Sequence, residues 1–219
     1  MSRVPQPSHG RGSLKDIQVL VNKHPLLFSE AVRRSLKINS REIEWVSPLK
    51  DDAYAEYSDK HFLKRLGIDS LRMPLSDFWP NRGPQWDALG RGDNGEIFLV
   101  EAKANLPEVV SPESGAKGKS LQLIRKSLTS TMSYLQVKST SDWSGKFYQY
   151  TNRVAHLYFL RVVNKIPAYL VFVYFIGDKS VDGPETALEW KAALTVMKKY
   201  LGIGKHKLSR YIVDIFIEV

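Results

Sequence analysis

The sequence predicts an α/β fold, a mixed central sheet flanked by helices, and three observations predict it. Ala168 to Ile176 is a continuous apolar run of strand length, the mark of a central strand covered on both faces. Gln85 to Leu89 and Glu96 to Lys103 read as neighbouring strands joined by Gly90-Arg91-Gly92-Asp93-Asn94-Gly95, whose Asn-Gly is a strong hairpin signal. Around them, apolar residues recur at steps of three and four, the spacing of helices with one buried face. Strands interleaved with helices predict one mixed sheet between helical layers.

Taken in order, residues 1–12 are polar and read as a short disordered tail. Ser13 can cap a helix to about Val21, and a second helix follows His24-Pro25, with Leu26, Leu27, Ala31 and Val32 as its apolar side. Arg33, Arg34 and Lys37 close that helix, where cations suit the helix dipole. Arg41 to Val46 alternates as a short strand would. Residues 13–46 thus read as a helical extension ahead of a main domain, 47–219. Ser47-Pro48 looks like a helix start, with the helix running to Leu66 and stopping at Gly67. Its face through Leu49, Ala53, Glu56, Lys60 and Leu63 puts Glu56 on a partly apolar stripe, an awkward place for an unpartnered carboxylate. Ser70 to Phe78 is a further strand candidate. Residues 104–118, rich in Pro, Ser and Gly, form a loop. A helix from Ser120 to about Val137 turns Leu121, Ile124, Leu128, Met132 and Leu135 inward. Another, from about Gly145 to Val163, does the same with Tyr150, Val154, Leu157 and Tyr158. Glu185 to Leu201 is amphipathic and ends at Gly202, and Tyr211 to Val219 is a last strand.

Composition narrows the function classes. The chain has 219 residues, with 43% hydrophobic and 25% charged, an ordinary globular balance. No apolar run approaches the length of a membrane span, and the polar start carries no secretory signal, so an intracellular, cytoplasmic setting is expected. With no cysteine, disulfides, thiolate nucleophiles and Cys-based zinc sites are excluded. His9, His24, His61, His156 and His206 show no paired metal-ligand spacing and read as surface or packing residues. The net charge of +9 is unevenly spread. Residues 1–41 carry 8 basic and 2 acidic side chains, 42–116 carry 8 and 14, 117–165 carry 9 and 1, and 166–219 carry 7 and 6. An acidic middle between basic blocks suits a cation site beside a phosphate-binding surface, or reflects plain segregation on a solvated surface.

The chemistry concentrates at the end of the Glu96 to Lys103 strand. Side chains alternate across a strand, so Glu101 and Lys103 share a face, at the end of an apolar run where charge is costly unless used or paired. The bland reading is a surface ion pair on an edge strand. Asp87 lies in the neighbouring strand across the hairpin, so two carboxylates come close and repel, and a divalent cation such as Mg²⁺ removes that repulsion.

Asp87, thirteen intervening residues and then Glu101-Ala102-Lys103, on two strands joined by a hairpin, resembles the PD-(D/E)XK, restriction-endonuclease-like superfamily. The order helix, three strands, helix, strand from Ser47 to Ile176 looks like that family's core. The chain departs from the family's name in that Pro84 stands three residues before Asp87. Asp77 is a rival first carboxylate, read here as a strand-end residue. The resemblance implies a metal-dependent nuclease that hydrolyses phosphodiester bonds, DNA favoured, through a metal-activated water, with Mg²⁺ as cofactor and Mn²⁺ as a substitute. It implies that Asp87, Glu101 and the carbonyl of Ala102 hold the metal. Lys103 would orient or deprotonate the attacking water and offset charge at the phosphate. Glu56 would match an acid some members carry on the first helix, and its alternative is an ion pair with Lys60. Double-strand cutters of this type often need two active sites, which a homodimer would supply.

The helix after Gly145 adds Gln149, Asn152, Arg153 and His156 on one stripe. Gln149 and Arg153 are candidates to approach the site, against the alternative of a solvated face. Lys117, Lys119, Arg125, Lys126 and Lys146 are candidate contacts to a nucleic-acid backbone. Two other readings stay open: a nuclease-fold chain without activity that binds nucleic acid or a protein partner, and an interaction protein with an accidental motif.

Overall fold

A computed structural model describes residues 2–219; Met1 lies outside them. Its centre is a five-stranded sheet in the order β2-β4-β5-β6-β7, formed by β2 (Ile43–Ser47), β4 (Ala88–Gly92), β5 (Ile97–Lys103), β6 (Ala168–Ile176) and β7 (Ile212–Glu218). The first three are antiparallel, and β5, β6 and β7 run parallel, so the sheet is mixed. A two-stranded ribbon, β1 (Arg3–Val4) with β3 (Glu56–Tyr57), sits apart from it.

Alternation along β5 sorts its side chains between two cores. Phe98, Val100 and Ala102 face one side, packed with Ile17, Leu20 and Val21 of α1 (Ser13–Lys23) and Phe28 and Val32 of α2 (Pro25–Leu36). Ile97 and Leu99 face the other side. That side is covered by α3 (Asp59–Arg65), α4 (Gly118–Leu135), α5 (Tyr148–Tyr158) and α6 (Ala187–Tyr200). The same alternation turns Glu101 and Lys103 toward α5. β6 lies between β5 and β7 with apolar residues in both cores, as its unbroken apolar run predicts.

Several local expectations change. The segment after Met1 is no free tail: Arg3 pairs with Tyr57 in the ribbon, and its guanidinium bonds Asp52 at 2.7 Å. The strand before Ser47 joins the main sheet as β2, and α1 and α2 cover one of its faces, so 13–46 is built into the body of the fold. On α2, Leu26 and Leu27 are exposed, and Phe28 takes the buried position by stacking on Trp45 with centroids 4.0 Å apart.

The long helix expected over 48–66 does not form. Lys50–Asp52 makes one 3₁₀ turn, then Ala53 and Tyr54 both take left-handed backbone, which ends any right-handed helix. Tyr57 enters the ribbon and bridges to Trp86, so only Asp59–Arg65 is helical. Nor is Ser70 to Phe78 a strand. Pro74 lacks the N–H a ladder needs and precedes a 3₁₀ turn, Leu75–Asp77, closed by Trp79 N–H on Leu75 O at 2.7 Å. Asp77 is exposed there, far from the role of a strand-borne ligand.

The hairpin holds with a shifted start. β4 begins at Ala88 and runs to Gly92, leaving only 93–96 as the turn, with Gly95 at φ +80°. Gly90 pairs with Trp45 of β2, and a Cβ there would stand 3.0 Å from the Trp45 ring. The helix expected to reach Val163 ends as α-helix at Tyr158 and continues as a π-helical turn, Phe159–Val163.

Candidate active site at the carboxyl end of β5

Asp87 stands one residue before β4, where the ladder with β5 stops. Ala102 N–H, left without a strand partner on that side, donates to Asp87 Oδ2 at 2.7 Å. In an extended strand the N–H and C=O of one residue leave by the same edge, so the Ala102 carbonyl also points toward Asp87. This bond ties the isolated acid to the strand carrying Glu101 and Lys103.

Glu101 is 1% exposed, and both its oxygens are used. Oε1 pairs with Lys103 Nζ, and Oε2 accepts from Arg153 Nε at 2.6 Å. Arg153 is as deeply buried. Its Nη2 also donates to the Gln85 carbonyl at 2.6 Å, its Nη1 to Asn152 Oδ1 at 2.9 Å, and its guanidinium lies 4.8 Å from the Trp86 ring centre. Glu101 and Lys103 therefore do pair, but inside an interior strand, where the surface-pair reading does not apply. The stripe on α5 is likewise no solvated face: Asn152, Arg153 and His156 are buried and Gln149 is half-buried.

Glu56 reaches the same cluster from β3, on a strand where a helix was expected. It is 6% exposed, and its Oε2 accepts from Gln85 Nε2 at 2.6 Å and Gln6 Nε2 at 3.0 Å. It makes no ion pair with Lys60. Gln85 and Gln6 are the contributors the sequence did not announce. Gln85 could have been found, since two residues before Asp87 along an extended segment means a shared side. Nothing in the sequence brings Gln6, fifty residues away, to Glu56.

The electrostatics follow from three carboxylates against two cations. Burial, then the negative charges of Glu101 and Glu56, push the Asp87 carboxyl well above its usual range. Burial also raises Glu56, against the lowering effect of its two glutamine donors. Burial works on Glu101 the same way, but the Arg153 and Lys103 charges overcome it and hold that carboxyl low. Burial opposes the Lys103 charge, and the Glu101 and Asp87 carboxylates more than restore it, so the ammonium keeps its proton more tightly than usual.

Asp87, Glu56, Gln85, Gln149 and Arg153 line a cavity of about 440 Å³ closed on other sides by Ser111, Tyr148 and Trp79. Glu101 and Lys103 lie behind it, against a void of about 20 Å³ that Gln149 also touches. Of the basic residues expected to meet a nucleic acid, Lys119, Lys126 and Lys146 are exposed, Arg125 is paired with Asp142 at 3.2 Å, and Arg153 is spent on Glu101. His156 is a packing residue: Nδ1 donates to the Asn152 carbonyl at 2.8 Å, aromatic rings surround it, and burial pushes it down to about 3, so it stays neutral.

The donor chemistry suits a hard divalent cation in one respect and resists it in another. Asp87 Oδ1 and Glu56 Oε1 accept no hydrogen bond among the described residues, and one negative charge in the cluster lacks a cation. Yet Glu101 has no free oxygen, and no three His, Asp or Glu side chains among the described residues converge as a ready metal cluster. Asp87, Glu56 and the Ala102 carbonyl are the donors open to a cation; Glu101 joins them by releasing Lys103 or Arg153. Among the described residues, no helix is long and apolar enough to cross a membrane. Comparison with family models, with curated proteins and with solved structures finds no match.

Proposed function

We propose that the chain is a metal-dependent nuclease with a restriction-endonuclease-like core, hydrolysing phosphodiester bonds, DNA favoured. The observation that carries the reading is the Ala102 N–H bond to Asp87, which gathers Asp87, Glu101 and Lys103 at the carboxyl end of one strand beside a cavity. The order of the sheet's own strands is compatible with it: α2, β2, β4, β5, α4, α5 and β6 run as helix, three strands, helices, strand once β3 and α3, inserted between β2 and β4, are set aside. β2 replaces the 70–78 segment in that order.

A bound Mg²⁺ or Mn²⁺ would supply Lewis acidity and a lowered pKa for its water. Asp87 and the Ala102 carbonyl would hold it, with Glu101 completing the set. Lys103 holds its proton too firmly to serve as the base, so its part is to offset charge growing on the phosphate. Glu56 has a raised proton affinity and an open oxygen on the cavity, which suits it to take the proton from the attacking water. Arg153 positions Glu101.

The test is cleavage of labelled DNA and RNA with Mg²⁺ or Mn²⁺. Asp87→Asn and Lys103→Met should each lower the rate by about 10²-fold or more. Activity that survives both substitutions removes the assignment. The closed state of Glu101 favours a second reading, a nuclease-fold chain that binds nucleic acid or a protein partner without cutting. Salt-sensitive binding with no cleavage under either metal would select it.

A further inference from the structure

The Asp87 cavity does not end at its own mouth. Trp79 and Arg82 line it on one side, and they also line a larger groove of about 1150 Å³. The two spaces share a wall. The groove exceeds what a single small ligand fills, and it is bordered by Lys60 and Lys64 of α3, by Asn81 and by Arg82.

Its cations lack partners. Among the described residues Lys60, Lys64 and Arg82 make no ion pair, as is true of most cations of the chain, and what sets these three apart is that they line one groove. Lys60 and Lys64 stand four apart on a seven-residue helix, where like charges repel. Arg82 takes left-handed backbone at φ 67°, held there because Asp59 accepts the N–H groups of Arg82 at 3.2 Å and Gly83 at 2.9 Å. Two acids also line the groove, and of these Asp59 is thereby committed to backbone donors and to the Ser2 hydroxyl, while Asp69 makes no ion pair among the described residues. Both the repulsion and the backbone conformation act against the isolated fold, and a polyanion in the groove relieves the first and uses the second.

We infer that a nucleic-acid strand leaving the Asp87 cavity passes Trp79 and Arg82 and lays its phosphates along Lys60 and Lys64 in this groove. The inference rests on the nuclease reading and adds the path of the strand, along α3 and not along the basic surface of α4. Phosphate contacts of this kind position the strand and carry no base preference, so binding should be salt-sensitive and tolerant of sequence.

The experiment is fluorescence anisotropy with a labelled single-stranded DNA and the matching duplex, in chelator, across a range of salt. It compares the wild type, the triple variant Lys60→Ala/Lys64→Ala/Arg82→Ala, and the pair Lys23→Ala/Lys37→Ala from the opposite face. Removing the cation from one phosphate should flatten the dependence of log affinity on log salt by about 0.7 to 0.9, so the slope of the triple variant should fall by about 2 or more. The opposite-face pair should keep the wild-type slope, which separates direct phosphate binding from net charge. The triple variant should melt no lower than the wild type, since the substituted side chains are exposed and the Lys60–Lys64 repulsion is removed. A triple variant with the wild-type slope, in a protein that still cuts DNA with Mg²⁺, overturns the path and leaves the nuclease reading standing. A slope carried instead by Lys119 and Lys126 overturns it too. A wild type that neither binds nor cuts ends both.

Discussion

Glu101 is the residue on which the site is built, and its energetics are those of a buried charge. Its two cationic partners offset its desolvation, and removing one leaves the other to do so alone. Arg153→Met should therefore cost about 3 kcal/mol in denaturant unfolding, even though methionine fits the same space. A loss below about 1 kcal/mol would mean that Lys103 alone satisfies the carboxylate. A second pair of acids lies elsewhere, at the start of α1. Asp16 and Asp178 are hydrogen-bond neighbours, and Oδ2 of each is buried without a donor, so a shared proton is what satisfies them. Burial and then Asp178 push Asp16 up to about 7, from a usual 3.8. Lys15 on the same helix lowers it, and Glu108 from the turn after β5 adds to the rise. The folded state keeps a proton that the unfolded chain has lost between these values, so this group's stabilisation is full below about pH 4 and declines toward about pH 7. Asp16→Asn should flatten that decline and melt higher than the wild type above about pH 7; an unchanged profile would show that the two acids do not share a proton.

At the scale of elements, the ribbon β1–β3 holds Glu56 in place from outside the main sheet. Deleting residues 1–7 removes the Gln6 bond to Glu56 and the Arg3 bonds to Asp52. One hydrogen bond of about 1 kcal/mol corresponds to about a fivefold loss in cleavage rate, with the five-stranded sheet intact by circular dichroism. Equal rates would show that Glu56 needs no support from the ribbon. The ribbon also marks where sequence reading stops. β5, β6, α4 and α6 were legible because their apolar periodicity agrees with their burial, and Asn94-Gly95 marked the turn by its backbone needs. The 48–66 segment was not, because its helical spacing is overridden by contacts to Arg3 and Trp86, distant in sequence. Asp87, Glu101 and Lys103 could be read as one group from strand alternation and a hairpin. Arg153 was legible as a candidate but not as the partner of Glu101, because helix spacing gives a face and not what that face meets.

At the scale of the whole molecule, two cores on either side of one sheet separate support from chemistry. α1 and α2 close one face with mainly apolar side chains, and the helices of the other face bring Arg153, Gln149 and the cavity to β5. The same division sets charge: the acids sit at the end of the central strand, and unpaired cations lie along the groove that opens from it. On the proposed function, this excess of buried carboxylate is a divalent-cation site. Calorimetric titration of Mn²⁺ near neutral pH, repeated in two buffers of different ionisation enthalpy, tests it most directly. One bound cation is expected, with proton release as the metal competes for the Asp87 carboxyl, whose proton affinity burial raises, and with both signals lost in Asp87→Asn. A wild type that binds no Mn²⁺, or an Asp87→Asn variant that binds it equally well, would rule out a cation site at these carboxylates.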